Sequence, residues 1–422
     1  MQGGENAAAS RPHAQSLYNP SVRILISAGE ASGEMYGAQL IEALRRIDPS
    51  IEFFGVGGER MRAAGCDTVV GAKDLSVVGI TEILSHLPKI WGLFHKLIAE
   101  ADKRKPDLAI VIDSPAFNWR VARQMRKGDV PVVYYVCPQF WAWRQGRVRL
   151  LRKYVNKALV IFPFEEKFYR DRGVDAEFVG HPLAELFRPV VTREQYAAKN
   201  GLVASKTWIT LMPGSRVKEV RMNLPAMLWA AEFLGTEYNF VIPVAPTIPK
   251  ALILELMKDE SGTAPIYLTS QALPALAHSR AAIIASGTAT VEAAMMETPF
   301  VMVYRVTPLT YLLGRSTVKV PYFAMVNLIA GEQVVPELVQ GDFTPEKVTA
   351  EMSKIIPDGP PREEMLEGLR RVKAKLRGEG SGSTSPADRA AQAVLELWRR
   401  SRTPELGQSI NTENGPQKDR SS

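Results

Sequence analysis

The apolar run Ala281-Ala-Ile-Ile-Ala285 leads directly into Ser286-Gly-Thr-Ala-Thr-Val-Glu292. A buried strand that opens through a glycine turn into a helix aims unpaired backbone N–H groups and a partial positive charge at one spot, which suits a phosphate. Ser286, Gly287 and Thr288 are therefore candidate anion-binding residues, and Glu292, about one turn into the helix, could accept hydrogen bonds from ribose hydroxyls. A second strand end, Leu211-Met-Pro-Gly-Ser-Arg216, repeats the theme: Arg216 with the Gly214 and Ser215 backbone could grip a diphosphate by charge-assisted bonds. Lys218, Glu219 and Arg221 just beyond it read as ordinary helix surface. Asp113 closes the apolar run Leu108-Ala-Ile-Val-Ile112, which puts a carboxylate at the carboxyl edge of a sheet, where ligand crevices of open α/β sheets lie. There it could take a proton from a hydroxyl nucleophile, help worth roughly 10²–10⁴-fold. The plain alternatives are that Asp113 caps the next helix and that Glu292 is a solvated helix residue.

An earlier loop has the same form. Val22-Arg-Ile-Leu-Ile26 runs into a segment with Gly29, Ser32, Gly33 and Gly37 and then an apolar helix. Its spacing is not G-x-G-x-x-G, which argues against a nicotinamide enzyme. Five histidines without a second ligand at metal spacing, and no Asp-x-Asp pair, disfavour a metal-held diphosphate; no metal and no cofactor is expected.

These groups need elements to hold them. Short β-rich runs at residues 22–27, 51–56, 108–113, 132–136, 158–162 and 177–179, then 208–212, 240–244, 266–268, 281–285 and 300–304, alternate with helical patterns. That is the grammar of α/β parallel sheets covered on both sides. With 422 residues and 46% hydrophobic content, two cores are expected. The boundaries read as a polar tail 1–20, a first domain 21–182, a second domain 183–378, a linker and amphipathic helix 379–400 that packs back on the first domain or on a partner, and a tail 401–422. Two cysteines give no disulfide framework and fit a reducing cytoplasm, and neither an N-terminal signal nor an apolar run of eighteen is visible.

The net charge of +7 favours an anionic partner. Arg144, Arg147, Arg149, Arg152, Lys153 and Lys157 follow Phe140, Trp141 and Trp143. Such a stretch could bind single-stranded nucleic acid, could touch anionic headgroups, or could be a solvated helix beside an aromatic anchor. Residues 84–98 carry Leu87, Ile90, Trp91, Phe94 and Leu97 at helical spacing, for a membrane interface or acyl chains, or else for the core.

Several strings together resemble the lipid-A-disaccharide synthase family: Ser27-Ala-Gly-Glu-Ala-Ser-Gly33, Val78-Gly-Ile-Thr-Glu-Ile-Leu84, Ile112-Asp-Ser-Pro-Ala-Phe-Asn118, Trp141-Ala-Trp-Arg144, Phe162-Pro-Phe-Glu165, Gly180-His-Pro182, Met212-Pro-Gly-Ser-Arg216, Ser286 to Glu292 and Asn327-Leu-Ile-Ala-Gly331. The resemblance implies a metal-independent, inverting glycosyltransferase of the GT-B type, with two Rossmann-like domains facing a cleft. It would move 2,3-diacylglucosamine from its UDP donor to 2,3-diacylglucosamine-1-phosphate, giving a β-1,6 disaccharide and UDP. Asp113 would be the base, and Arg216, Gly214, Ser215, Ser286, Gly287 and Thr288 would hold the diphosphate. Glu292 and Asn327 would contact the ribose or nearby groups. Gly29, Ser32, Gly33, Arg144 and Arg147 would serve the acceptor and its phosphate, and Leu87, Ile90, Trp91, Phe94 and Leu97 the membrane or acyl chains. The implied location is the inner face of the cytoplasmic membrane, peripherally bound, with a homodimer as one option and no nucleic-acid partner. Other readings are a different UDP-sugar enzyme of the same fold, such as an epimerase, and a nucleic-acid-binding protein. The chain departs from the family's pattern at Glu34 (usually Asp), Ala116 (usually a second Asp) and Glu332 (usually basic), so Asp113 would act without a paired carboxylate.

Overall fold

A computed structural model describes residues 22–75, 83–185, 189–259, 262–307, 320–378 and 384–402. Its first sheet contains β1 (Arg23–Ala28), β2 (Glu52–Gly57), β3 (Cys66–Gly71), β4 (Leu108–Ile112), β5 (Val132–Tyr135), β6 (Lys157–Val160) and β7 (Ala176–Phe178), in the order β3-β2-β1-β4-β5-β6-β7. The second contains β8 (Thr207–Met212), β9 (Tyr238–Pro243), β10 (Ile266–Thr269), β11 (Ala281–Ala285), β12 (Phe300–Tyr304) and β13 (Glu337–Val339), in the order β10-β9-β8-β11-β12-β13. Every described pairing in both is parallel.

Sequence and architecture agree for a physical reason. Strands β4 and β11 are buried along their whole length, as parallel strands covered on both faces must be, so they appear in the sequence as unbroken apolar runs. In each sheet the strand order reverses at one point, between β1 and β4 and between β8 and β11. The register aligns Ala28 with Ile112 and Met212 with Ile284. The loops leaving those strands, which carry Gly29, Asp113, Arg216 and Ser286, thus stand side by side at the two switch points, the usual place for a ligand crevice.

The helices that position the site are α1 (Ala31–Ile47), α2 (Glu59–Ala63), α3 (Ile83–Arg104), α4 (Pro115–Lys127), α5 (Pro163–Arg170), α6 (Val217–Leu234), α7 (Thr288–Met296), α8 (Met325–Ala330), α9 (Pro360–Arg377) and α10 (Pro386–Arg402). Helix α9 closes the second unit, and α10 crosses back to lie on α1. Ala390, Ala391 and Val394 are buried there, while Arg46 pairs with Asp388 at 2.6 Å, Arg402 with Asp107 at 3.0 Å, and Arg389 donates to the Val179 carbonyl at 2.9 Å.

Helix α3 corrects an expectation. Leu97 is fully buried and Phe94 nearly so, in the core under β4, and Ile90 is half-buried against the same cluster. Of the expected membrane-contact side chains described, Trp91 alone is largely exposed, at 53%. The helical period holds, and the apolar face turns to the sheet. The Leu87 side chain lies outside the described residues.

Candidate active site

Strand β4 ends in two consecutive left-handed residues, Asp113 at φ 48° and Ser114 at φ 46°. Non-glycine residues in this region cost on the order of 1–3 kcal/mol each and need support from their surroundings. The support is Asn118, completely buried in the first turns of α4. Its Nδ2 donates to the carbonyls of Asp113 at 2.8 Å and Ile112 at 2.9 Å, its Oδ1 accepts from Ser27 Oγ at 2.7 Å, and Tyr134 adds a bond to the Asp113 carbonyl at 2.9 Å. Gly29 packs so closely on this turn that an added Cβ would lie 2.7 Å from Ser114 Oγ. Burial lifts the Asp113 carboxyl to about 6, Glu30 adds to the rise, and a Ser114 backbone bond opposes it. A carboxylate so tuned is a competent base near neutral pH.

Across from it, α7 starts at Gly287, whose φ of 149° favours glycine and whose missing Cβ faces open space. No side chain caps this helix. Its first N–H groups are therefore available to an anion. The start of α6 differs. Glu219 Oε2 accepts from the N–H groups of Ser215 at 3.1 Å and Arg216 at 3.2 Å, and Oε1 pairs with the Arg216 guanidinium at 2.7 Å. Glu219, read from the sequence as helix surface, thus occupies the donors expected to hold diphosphate. The capping geometry of an Arg-x-x-Glu helix start explains it. The open anion position is the α7 start, with Arg216 beside it.

Burial raises the Glu292 carboxyl to about 7. Tyr36 of α1, only 4% exposed, lies within electrostatic reach of both Asp113 and Glu292, and burial suppresses the ionisation of its hydroxyl. Its ring meets that of His181 edge-on at 6.3 Å. Leu183 N–H donates to His181 Nδ1 at 3.0 Å and burial pushes the imidazole down to about 3, so the ring is neutral with its proton on Nε2.

A cleft of about 700 Å³ runs between the units. Gln139, Trp141, Ala142, Phe162 and His181 form its wall on the first unit. Gly214, Ser215, Arg216, Ser286, Gly287, Thr288 and Glu292 lie on the second. Asp113, Gly29, Ser32 and Gly33 are not among its lining residues; they lie at the β1/β4 switch point. Arg144 and Arg147 are exposed just beyond Ala142, and the Arg144 guanidinium lies 4.4 Å over the Trp143 ring.

Asn327 does not reach the cleft as expected. Its Nδ2 donates to the Val335 carbonyl and Glu337, and its Oδ1 accepts from the Val334 and Val335 N–H groups, which uses the whole amide. Glu337 in turn accepts from Phe323 and Ala324, so Asn327 braces the segment carrying Phe323 and Met325 in the cleft wall. The three departures from the family pattern also find places. Glu34 accepts from Arg60 N–H at the start of α2 at 2.9 Å, Ala116 is exposed, and Glu332 pairs with Arg371 of α9 at 2.8 Å. Sequence reasoning gave no role to Tyr36, Asn118 or His181, although all three lie in or beside the quoted strings.

A family model described as lipid-A-disaccharide synthetase matches residues 24–390. The lipid-A-disaccharide synthase of Koribacter versatilis is 52% identical over 380 residues, covering 90% of this chain and 99% of that one. Among solved structures, the kitacinnamycin glycosyltransferase superposes with a TM-score of 0.60 at 14% identity, covering 90% of this chain and 99% of its own. The Listeria monocytogenes structure named "putative UDP-N-acetylglucosamine 2-epimerase" does so at 0.56 with 12% identity over 91% and 97%. These structural likenesses establish the GT-B fold and do not separate transferase from epimerase. The family match does: this chain belongs to the lipid-A-disaccharide synthetase family.

Proposed function

We propose that this chain transfers 2,3-diacylglucosamine from UDP-2,3-diacylglucosamine to the 6-hydroxyl of 2,3-diacylglucosamine-1-phosphate, with inversion, forming a β-1,6 disaccharide and UDP. The observation that carries the reading, in a chain of this family, is the pairing of a lifted Asp113 carboxylate on one unit with an uncapped helix start at Gly287 and Thr288 on the other. Asp113 takes the proton of the acceptor hydroxyl as its oxygen attacks the anomeric carbon. The bond to the diphosphate breaks on the opposite face, and its electrons go to UDP. The α7 N–H groups and Arg216 stabilise the charge that develops there. In-line displacement needs one base and a stabilised leaving group, so no covalent nucleophile is called for. Glu292, when ionised, accepts from the ribose.

The acyl chains require an amphipathic surface. Trp91 and Trp143 with its stacked Arg144 supply exposed aromatic and cationic contacts for peripheral binding at the inner face of the cytoplasmic membrane. Among the described residues no helix is long and apolar enough to cross a membrane.

The test is UDP release from UDP-2,3-diacylglucosamine in detergent, with and without 2,3-diacylglucosamine-1-phosphate, in EDTA. Acceptor-dependent release that persists in EDTA and falls at least 10²-fold in Asp113→Ala is the expected result. An inactive wild type overturns the substrate assignment; an active Asp113→Ala overturns the base.

A further inference from the structure

Glu165 is completely buried in the first turn of α5, and every polar partner of its carboxylate is a donor. Oε2 accepts from the backbone N–H groups of Ile161 at 3.2 Å and Phe162 at 3.0 Å, which caps the helix. Oε1 accepts from the Trp141 indole Nε1–H at 2.8 Å, a bond that capping does not require. A glutamine at this position could cap α5 equally well, because one carbonyl oxygen suffices. Its NH₂ would then face the indole N–H, donor against donor. Burial raises this carboxyl to about 7 while the Trp141, Phe162 and Ile161 donors oppose the rise; in its ionised form it is acceptor-only, which suits Trp141 as well as the helix.

Trp141 is itself almost wholly buried, yet it forms part of the cleft wall. Its ring stands edge-on to Phe164 at 4.9 Å. Tyr169, one turn further along α5, donates to the Pro138 carbonyl, so α5 ties the loop between β5 and Trp141 at two points. Other ionisable groups near Glu165 are the Cys137 thiol and the Tyr169 hydroxyl, both held neutral by burial.

We propose that Glu165 is a positioning residue for the acceptor: its carboxylate fixes the Trp141 indole so that one flat face forms the wall against which the acceptor sugar lies. The proposal rests on the reaction given above. Trp141 belongs to the first unit, across the cleft from the α7 helix start assigned to the donor, so loosening it affects the acceptor and spares the donor.

The experiment compares wild type, Glu165→Gln, Trp141→Phe and the double variant in the UDP-release assay, with KM measured separately for each substrate. Each single variant is expected to raise acceptor KM about ten-fold and to leave donor KM within about two-fold. The double variant should be no worse than the weaker single, because both remove one interaction. Additive losses, or equal shifts in both KM values, overturn the proposal. Trp141→Phe leaves the α5 cap untouched and decides alone if Glu165→Gln does not fold; an unchanged acceptor KM in it overturns the proposal. A wild type without acceptor-dependent UDP release refutes the reaction instead, and the indole ¹⁵N–H resonance that disappears in Trp141→Phe then provides the readout. That signal should move and exchange faster in Glu165→Gln, and an unmoved signal overturns the link between the two residues.

Discussion

Asp113 and Glu292 are both carboxylic acids kept partly protonated near neutrality by burial, at about 6 and about 7. Protonation removes the lone pair that each would use, so both effects appear on the acid side. The rate of the chemical step is expected to fall tenfold per pH unit below about 6 through Asp113. Donor KM should begin to rise below about 7 through Glu292. Glu292→Gln removes the second limb and leaves the first, and KM and kcat profiles between pH 5 and 9 check both. The sequence marked Asp113 and Glu292 because they end or follow apolar runs. It did not reveal Asn118, because a polar residue inside a helix pattern looks like surface until the chain folds it under a left-handed turn. Nor did it reveal that Asn327 spends its whole amide inside the protein.

At the scale of elements, the two helix starts at the second switch point have different fates. That of α6 is filled by Glu219, while that of α7 is open. Gly287→Ala places a side chain at φ 149°, where strain costs on the order of 1–3 kcal/mol, and projects it into the open space at the α7 start. Donor KM should rise by at least tenfold with acceptor KM unchanged; equal values for variant and wild type would show that the diphosphate sits elsewhere. Elements were legible where burial is two-sided. Strands β1, β4, β8 and β11 stand out as apolar runs, whereas β3, with Asp67 and Thr68, and β13, with Glu337, lie at sheet edges, are partly exposed and carry no such signal. The amphipathic pattern of α3 was visible in the sequence, but not which surface its apolar face would cover.

For the whole molecule, the sequence leaves α10 two places, the first domain or a partner, and the structure shows it on the first. Its apolar face is plain in the sequence, but the surface it covers is formed by α1, more than three hundred residues earlier. The Arg46–Asp388 pair is largely solvent-exposed and is worth about 0–1 kcal/mol. Apolar burial is the larger contribution, so Leu395→Ala should cost about 2–5 kcal/mol and Asp388→Ala much less. Thermal denaturation of both variants tests that ranking, and a reversed order would mean that charge holds this helix.

Because α10 returns to the unit in which the chain begins, that unit is discontinuous: residues near 30–45 wait for partners near 387–395. During synthesis the second unit is therefore fully translated while the first still exposes the α1 surface, which only α10 covers. The unit that holds Asp113 therefore gains its α10 covering only after the second unit has been made, although Asp113 itself is synthesised early.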